Sequence, residues 1–265
     1  MNSMEDGKRY SVRAVERALE VVRSIAMHPS APTVDEIVAS VGLPKTTVFR
    51  VLATLTAERF LERDDRLQTY HFGELAALVG ARALGDMDVK RVAHPFLDAL
   101  MRETGETVHL AILSEGAALC VDKIDALRSV RMLSFVGFRD PLHCSGVGKA
   151  LLAFQPEPER KRLLESIPLA RHTERTICHR GALERHLEEI RDSGYALDAG
   201  EVEEGLVCAA APVFDHLGTV AAAISVSGPA SRMNGAALGA AIETVVDHAR
   251  RISRSLGHRH EWSST

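Results

Sequence analysis

Residues 33 to 55, TVDEIVASVGLPKTTVFRVLATL, constrain this chain more than any other stretch, because they read as two short helices meeting at a Gly-Leu-Pro corner. Thr33 with Glu36 has the spacing of a capping box, and Ile37, Val38 and Val41 give the first helix its inward side. Gly42 ends that helix. Pro44 suits the first turn of the next, where a missing N–H is no loss, and Val48, Val51, Leu52 and Leu55 recur at helical spacing to pack inward. The opposite face carries Lys45, Thr46, Thr47 and Arg50. These donors reach phosphates and base edges, and they occupy the first two turns, where a recognition helix enters the major groove. The pattern predicts a helix-turn-helix for double-stranded DNA.

The flanks extend this reading. Ser11 is placed to cap a preceding helix in which Val12, Val15, Leu19, Val22 and Ala26 make an apolar stripe, the third helix such a module needs for a core. Downstream, Phe60 to Arg63 and Gln68 to Phe72 read as two short strands around Asp64, Asp65 and Arg66, the pattern of a wing. Arg63, Arg66 and Tyr70 on this hairpin are candidate contacts to the DNA backbone or minor groove; for an arginine at a hairpin tip, plain solvation is the competing reading. The segment GELAALVGARALG, 73 to 85, predicts a helix leaving the wing. Its small apolar residues imply burial, either against a twin copy, as in dimers that read two half-sites, or against its own domain.

A length of 265 residues with 46% apolar side chains fits two globular domains. No apolar run reaches membrane-spanning length and the start, MNSMEDGKRYS, lacks a signal-peptide apolar region, so the expectation is a cytoplasmic protein without a membrane partner. Four cysteines without CxxC spacing point to reduced thiols. The net charge of −4 weighs mildly against nucleic acid, but a small reading module needs only a local basic face.

Beyond Val89 the pattern changes to a helix with Val92, Phe96, Leu97 and Leu100, then extended segments at 107 to 113, 118 to 124 and 129 to 135. HCSGVGKALLAF, 143 to 154, reads as a Gly-rich turn into a helix, and helices follow around 158 to 166 and 180 to 193. Strands at 207 to 214 and 220 to 227 join through Asp215-His216-Leu217-Gly218, and a last helix runs from Asn234 to about Leu256. Adjacent strands with helices gathered around them predict an α+β domain with a largely antiparallel sheet. The expected boundaries are 8–73, a linker helix 74–89, and 90–257.

Several residues of the second domain offer small or polar groups that a ligand can use. Gly146 and Gly148 precede a helix, so backbone N–H groups can approach an anion there, though a tight turn asks for the same glycines. Ser225 and Ser227 share one strand face, as do Cys208 and Ala210, while Asp198 and Glu201 stand on the segment before them. A carboxylate at Asp198 repels an anion unless it is protonated, paired or bonded to a ligand hydroxyl, which favours a hydroxylated or keto acid. Lys149 invites a role as counter-charge but can equally face outward. The competing class is a Cys/His-dependent or metal-dependent enzyme, given twelve histidines and the neighbours His143-Cys144 and Cys178-His179. Strand neighbours point to opposite faces, and no HExxH or GxSxG occurs, so no catalytic residue, metal ligand or cofactor is assigned; a zinc site assembled from separate segments stays open.

From Ser11 to Ser255 the order of segments resembles the isocitrate lyase regulator (IclR) family of bacterial transcription factors. The resemblance rests on RAVERALEVVRSIA, GLPKTTVFRVLATL, YHFG, ETVHLAIL, PLHCSGVGKALLAF, GYALDAGEVEEGLVCAAAPVFD and AAISVSGPASR. It implies a winged helix-turn-helix joined by a linker helix to a GAF-like or profilin-like effector-binding domain, assembled as homodimers or dimers of dimers. Met132, Gly146, Val147, Asp198, Cys208, Ser225 and Ser227 match the family's pocket-lining positions. By the same resemblance the chain is expected to be a ligand-responsive regulator of a catabolic operon, repressor rather than activator, reading a palindromic operator and sensing a small organic acid.

Overall fold

The computed structural model describes residues 12–85, 88–126 and 134–258. The chain divides between residues 86 and 87 into two compact units.

The first unit opens with α1 (Arg13–Met27), α2 (Val34–Val41) and α3 (Lys45–Ala57). The capping box is present: Thr33 Oγ1 accepts from the Glu36 N–H and the Glu36 carboxylate accepts from the Thr33 N–H at 2.7 Å. Gly42 ends α2 in the left-handed region at φ 67°, which costs glycine nothing. Pro44 stands at the N-cap of α3, one place earlier than the sequence indicated. β1 (Leu61–Asp64) and β2 (Thr69–Phe72) pair antiparallel as the wing, and α4 (Glu74–Gly85) follows, tied back by its Leu75 N–H to the Arg59 carbonyl at 3.1 Å. The core is Val21, Ile25, Ile37, Val48, Leu52, Leu61 and Tyr70.

The first helix corrects the sequence reading. Ser11 lies outside the described residues, Val12 is the N-cap, and the stripe of Val12, Val15 and Leu19 is exposed. The buried line is instead Val21 and Ile25, with Ala18 and Val22 half-buried. This helix has two neighbouring apolar stripes, and periodicity alone does not choose between them.

The second unit contains α5 (Asp88–Thr104), β3 (Thr107–Ser114), β4 (Ala117–Ile124), β5 (Arg139–Pro141), α6 (Gly146–Ala153), α7 (Glu157–Ser166), α8 (Arg180–Ser193), β6 (Ala196–Ala199), β7 (Leu206–Phe214), β8 (Val220–Pro229) and α9 (Gly235–Ser255). Its sheet has the order β5-β4-β3-β8-β7-β6, every pair antiparallel. The predicted strand at 129 to 135 falls mainly outside the described residues, and Ser134 and Phe135 are not in a strand. β5 and β6 escaped the sequence reading.

Period-two alternation gives the sheet two different faces. α5 and α9 cover one, which carries Val108, Leu110, Ala209, Ile224 and Val226. α6 covers the other, with α7 and α8 packed on α6, and there Val147, Ala150 and Leu151 meet the small residues Ala111, Ala210 and Ala223. Those alanines let the helix lie close to the strands, and their face also holds the polar residues of interest.

Candidate functional site

The first unit presents its donors outward. Thr46, Phe49 and Arg50 are exposed on one face of α3, with Thr47 half-buried beside them. Phe49 went unnoticed in the sequence because an aromatic at helical spacing reads as core; here it can meet a thymine methyl. Lys45 makes an ion pair with Asp35 at 2.5 Å, both side chains open to solvent. Such a pair adds little stability and exchanges readily for a phosphate. At the wing tip Asp64 Oδ1 accepts the N–H groups of Arg66 (2.8 Å) and Leu67 (3.0 Å), which leaves the Arg66 side chain exposed, while Arg63 donates to the Gln68 amide oxygen. Tyr70 is a correction. Its alternate position on β2 points it inward, where it is 4% exposed among the core residues, so it supports the wing from beneath rather than meeting DNA.

In the second unit, register brings the candidate residues together. Asp198, Cys208, Ser227 and Thr107 lie opposite one another across β6, β7, β8 and β3. One step along the same face run Ala196, Ala210, Ser225 and His109. Asp198, Ser225 and Ser227 are each 2% exposed or less. Gly146 meets this row directly: a Cβ there would stand 2.8 Å from Cys208 Sγ. Gly146, Asp198, Cys208, Ser225 and Ser227 are therefore brought together, with Val147 buried on the first turn of α6; Met132 lies outside the described residues.

The turn into α6 refines the anion argument. Ser145 caps the helix, its Oγ accepting from the Gly148 N–H at 3.0 Å and donating to the Pro141 carbonyl at 2.7 Å. Gly148 is thus committed to the turn, where a Cβ would meet the Pro141 carbonyl at 2.4 Å. The N–H groups of Gly146 and Val147, in the first turn, have no intrahelical carbonyl within reach and are the donors the helix can offer an anion.

Burial around the row favours the uncharged form of each titratable group. Burial pushes the Asp198 carboxyl up, against the backbone N–H of Glu201, which it accepts at 2.6 Å. Burial, with Asp198 nearby, raises Asp140 to about 7. His109 is lowered to about 4 by burial and then by the Lys123 ammonium, so its ring is neutral at neutral pH, with Nε2 2.7 Å from Ser134 Oγ and Nδ1 3.5 Å from Ser225 Oγ. His109 and Asp140 were missed from sequence. Only the pairing of β3 with β8 and of β5 with β4 puts them on this face.

Lys149 does not face outward. It is fully buried, with its ammonium on the Glu201 carboxylate and 3.3 Å from His186 Nε2, so it is a structural counter-charge. The neighbours His143 and Cys144 lie on a turn rather than a strand, and so both converge with His172: one ligand atom from each falls within 4.8 Å of the others. Cys120, Cys144 and Cys208 are all pushed up to about 12, chiefly by burial. Their sulfurs stay protonated and are poor nucleophiles in this setting.

Among the described residues no single helix is long and apolar enough to cross a membrane. Residues 14–65 match the IclR helix-turn-helix domain, and residues 81–254 match the bacterial transcriptional regulator IclR C-terminal domain. The HTH-type transcriptional regulator BhcR of Paracoccus denitrificans is 39% identical over 94% of this chain and 88% of its own length. The HTH-type transcriptional repressor AllR of Klebsiella pneumoniae is 36% identical over 96% of this chain and 93% of its own. An IclR homolog of Microbacterium hydrocarbonoxydans, solved in complex with 4-hydroxybenzoate, superposes with a TM-score of 0.78 at 26% identity, covering 92% of this chain and 98% of that one. These likenesses lend no support to the enzyme reading. An outward-facing helix-turn-helix and a helix-covered antiparallel sheet with a buried polar row, matched along nearly the whole chain, place it in the IclR family of DNA-binding bacterial transcriptional regulators.

Proposed function

We propose that this protein is a repressor that binds a palindromic operator as a homodimer or dimer of dimers in the cytoplasm, and that a small hydroxy or keto acid controls it. The observation that carries the ligand class is the buried row of Asp198, Cys208, Ser227 and Ser225 beneath the first turn of α6. Two buried hydroxyls and a carboxyl of raised pKa suit a ligand hydroxyl or carbonyl, while the free N–H groups of the turn suit its carboxylate. The repressor AllR and the 4-hydroxybenzoate complex among its relatives support the same reading. Thr46, Thr47 and Arg50 read bases, and Lys45, Arg63 and Arg66 hold phosphates. Occupancy of the pocket changes the spacing of paired recognition helices, and a bias of about 1–3 kcal/mol between two states suffices.

The test is a gel shift on the intergenic DNA beside the coding region, with excess nonspecific competitor and a panel of small 2-hydroxy, 2-oxo and aromatic hydroxy acids. A competitor-resistant band that one acid abolishes is the expected result. The paired change Ser225→Ala with Ser227→Ala should keep the band and lose the response. A band that no acid alters overturns the ligand class, and a normal response in the double variant moves the pocket elsewhere.

A further inference from the structure

We propose that His143, Cys144 and His172 form a binding site for a thiophilic divalent metal ion of the zinc class, at the rim of the turn that leads into α6. Their ligand atoms already lie within 4.8 Å of one another. Tetrahedral zinc with one sulfur and two imidazole ligands needs separations of roughly 3.5 Å. The required contraction is small, and it falls on His172, an exposed side chain on a loop. His143 and Cys144 are both buried and fixed.

A second feature is the hydrogen bond that fixes the His143 ring. Nε2 lies 2.9 Å from the Ala170 carbonyl, which can only accept, so Nε2 carries the proton and Nδ1 keeps its lone pair. Metal-binding histidines characteristically have this arrangement, a carbonyl or carboxylate on the far nitrogen fixing tautomer and ring orientation. The His172 ring lies beside that of His143, 5.8 Å between centroids. The thiol that burial keeps protonated in the metal-free protein is deprotonated only by the ion itself: the metal displaces the Cys144 proton to solvent and the thiolate becomes the third ligand. One sulfur with two imidazoles selects zinc over magnesium or calcium, whose preferred ligands are oxygens. The fourth position is left for water.

The location gives such an ion a consequence. His143 and Cys144 precede the Ser145 cap, whereas His172 belongs to the loop whose Thr173 and Thr176 hydroxyls donate to the carbonyls of Gly200 and Glu201, each at 2.7 Å. A bound ion therefore clamps the two chain segments that flank Gly146 and Asp198.

The experiment uses the full-length protein without a histidine tag, stripped with chelator and titrated with Co²⁺, then with Zn²⁺. One equivalent of Co²⁺ should give a sulfur-to-cobalt charge-transfer band in the near ultraviolet with tetrahedral visible bands, and Zn²⁺ should displace it. Cys144→Ser should lose the charge-transfer band, and the exposed change His172→Ala should lose the stoichiometric tetrahedral spectrum while keeping the parent circular dichroism. Cys178→Ser should behave as the parent. Absence of the band in the parent, its survival in Cys144→Ser, or indifference to His172→Ala overturns the proposal. Because the readout needs neither DNA nor organic acid, it is separable from the regulatory reading.

Discussion

The two units of this chain place their candidate functional residues in opposite physical settings. In the first, Thr46 and Arg50 stand in solvent on a helix whose other side is core, so recognition is a surface property of one element. In the second, Asp198, Cys208, Ser225 and Ser227 are buried, and they meet only because four strands pair in one register. A reading surface can therefore be altered without touching stability, whereas a sensing interior cannot be altered without testing the fold.

The largest expected effect lies in the interior. Lys149→Met leaves Glu201 as an unpaired buried carboxylate, and breaking a buried pair in this way costs about 3–5 kcal/mol. Urea denaturation at neutral pH should show that loss in the second unit, while the first unit's transition stays in place. Lowering the pH should restore part of it, because the stranded Glu201 then takes a proton; a loss independent of pH would mean that packing rather than charge is at stake.

Arg50→Ala should do the reverse. We expect operator affinity to fall by about 1–3 kcal/mol, a factor of roughly 5 to 150, with denaturation unchanged. Unaltered affinity in a binding titration would remove Arg50 from the reading face.

Protonation offers an intermediate test. Asp140 has a folded pKa of about 7 against an ordinary 3.8, raised first by burial. A carboxyl raised on folding favours the folded state most at low pH, and that contribution drains away as pH climbs from about 4 through 7. An anionic ligand near a charged Asp140 should follow the same course, weakening by up to about tenfold per pH unit above 7. Calorimetric titration across pH 6 to 8 reads this slope, and Asp140→Asn should flatten it; a slope that persists assigns the proton to another group.

The smallest effect is expected at Thr33. Removing its cap with Thr33→Ala should cost the first unit about 1 kcal/mol, read as a lower melting temperature with operator affinity at saturation unchanged. An affinity loss much larger than the stability loss would mean that α2 positions the recognition helix rather than merely supporting it.

How far the sequence carries the argument follows from the same contrast. Local rules were enough for the Thr33 to Glu36 box, the Gly42 stop and the outward face of α3, because each depends on residues within a turn or two of one another. The stripe on α1 went wrong because two apolar faces compete on one helix, and Tyr70 because a two-strand wing has an inside as well as an outside. β5 and β6 are three and four residues long, too short for alternation to be visible. In the pocket, Ser225 and Ser227 were recognisable as a same-face pair, but His109, more than a hundred residues earlier, joins them only through β3–β8 pairing. Lys149 stayed open for a related reason: its partner Glu201 is distant in sequence, and without that partner nothing decides between a buried and an exposed lysine.

The alternation along β7 and β8 has a bearing on how such a sensor diversifies. Val207, Ala209 and Val226 face α5 and α9, whereas Cys208, Ser225 and Ser227 face α6. Odd and even positions of the same strands thus answer to separate selective demands. On the proposed assignment, exchanges confined to the α6-facing set would change which metabolite is recognised while the opposite layer keeps the sheet in place, so one scaffold can acquire new chemical vocabularies by few substitutions and without remodelling its architecture.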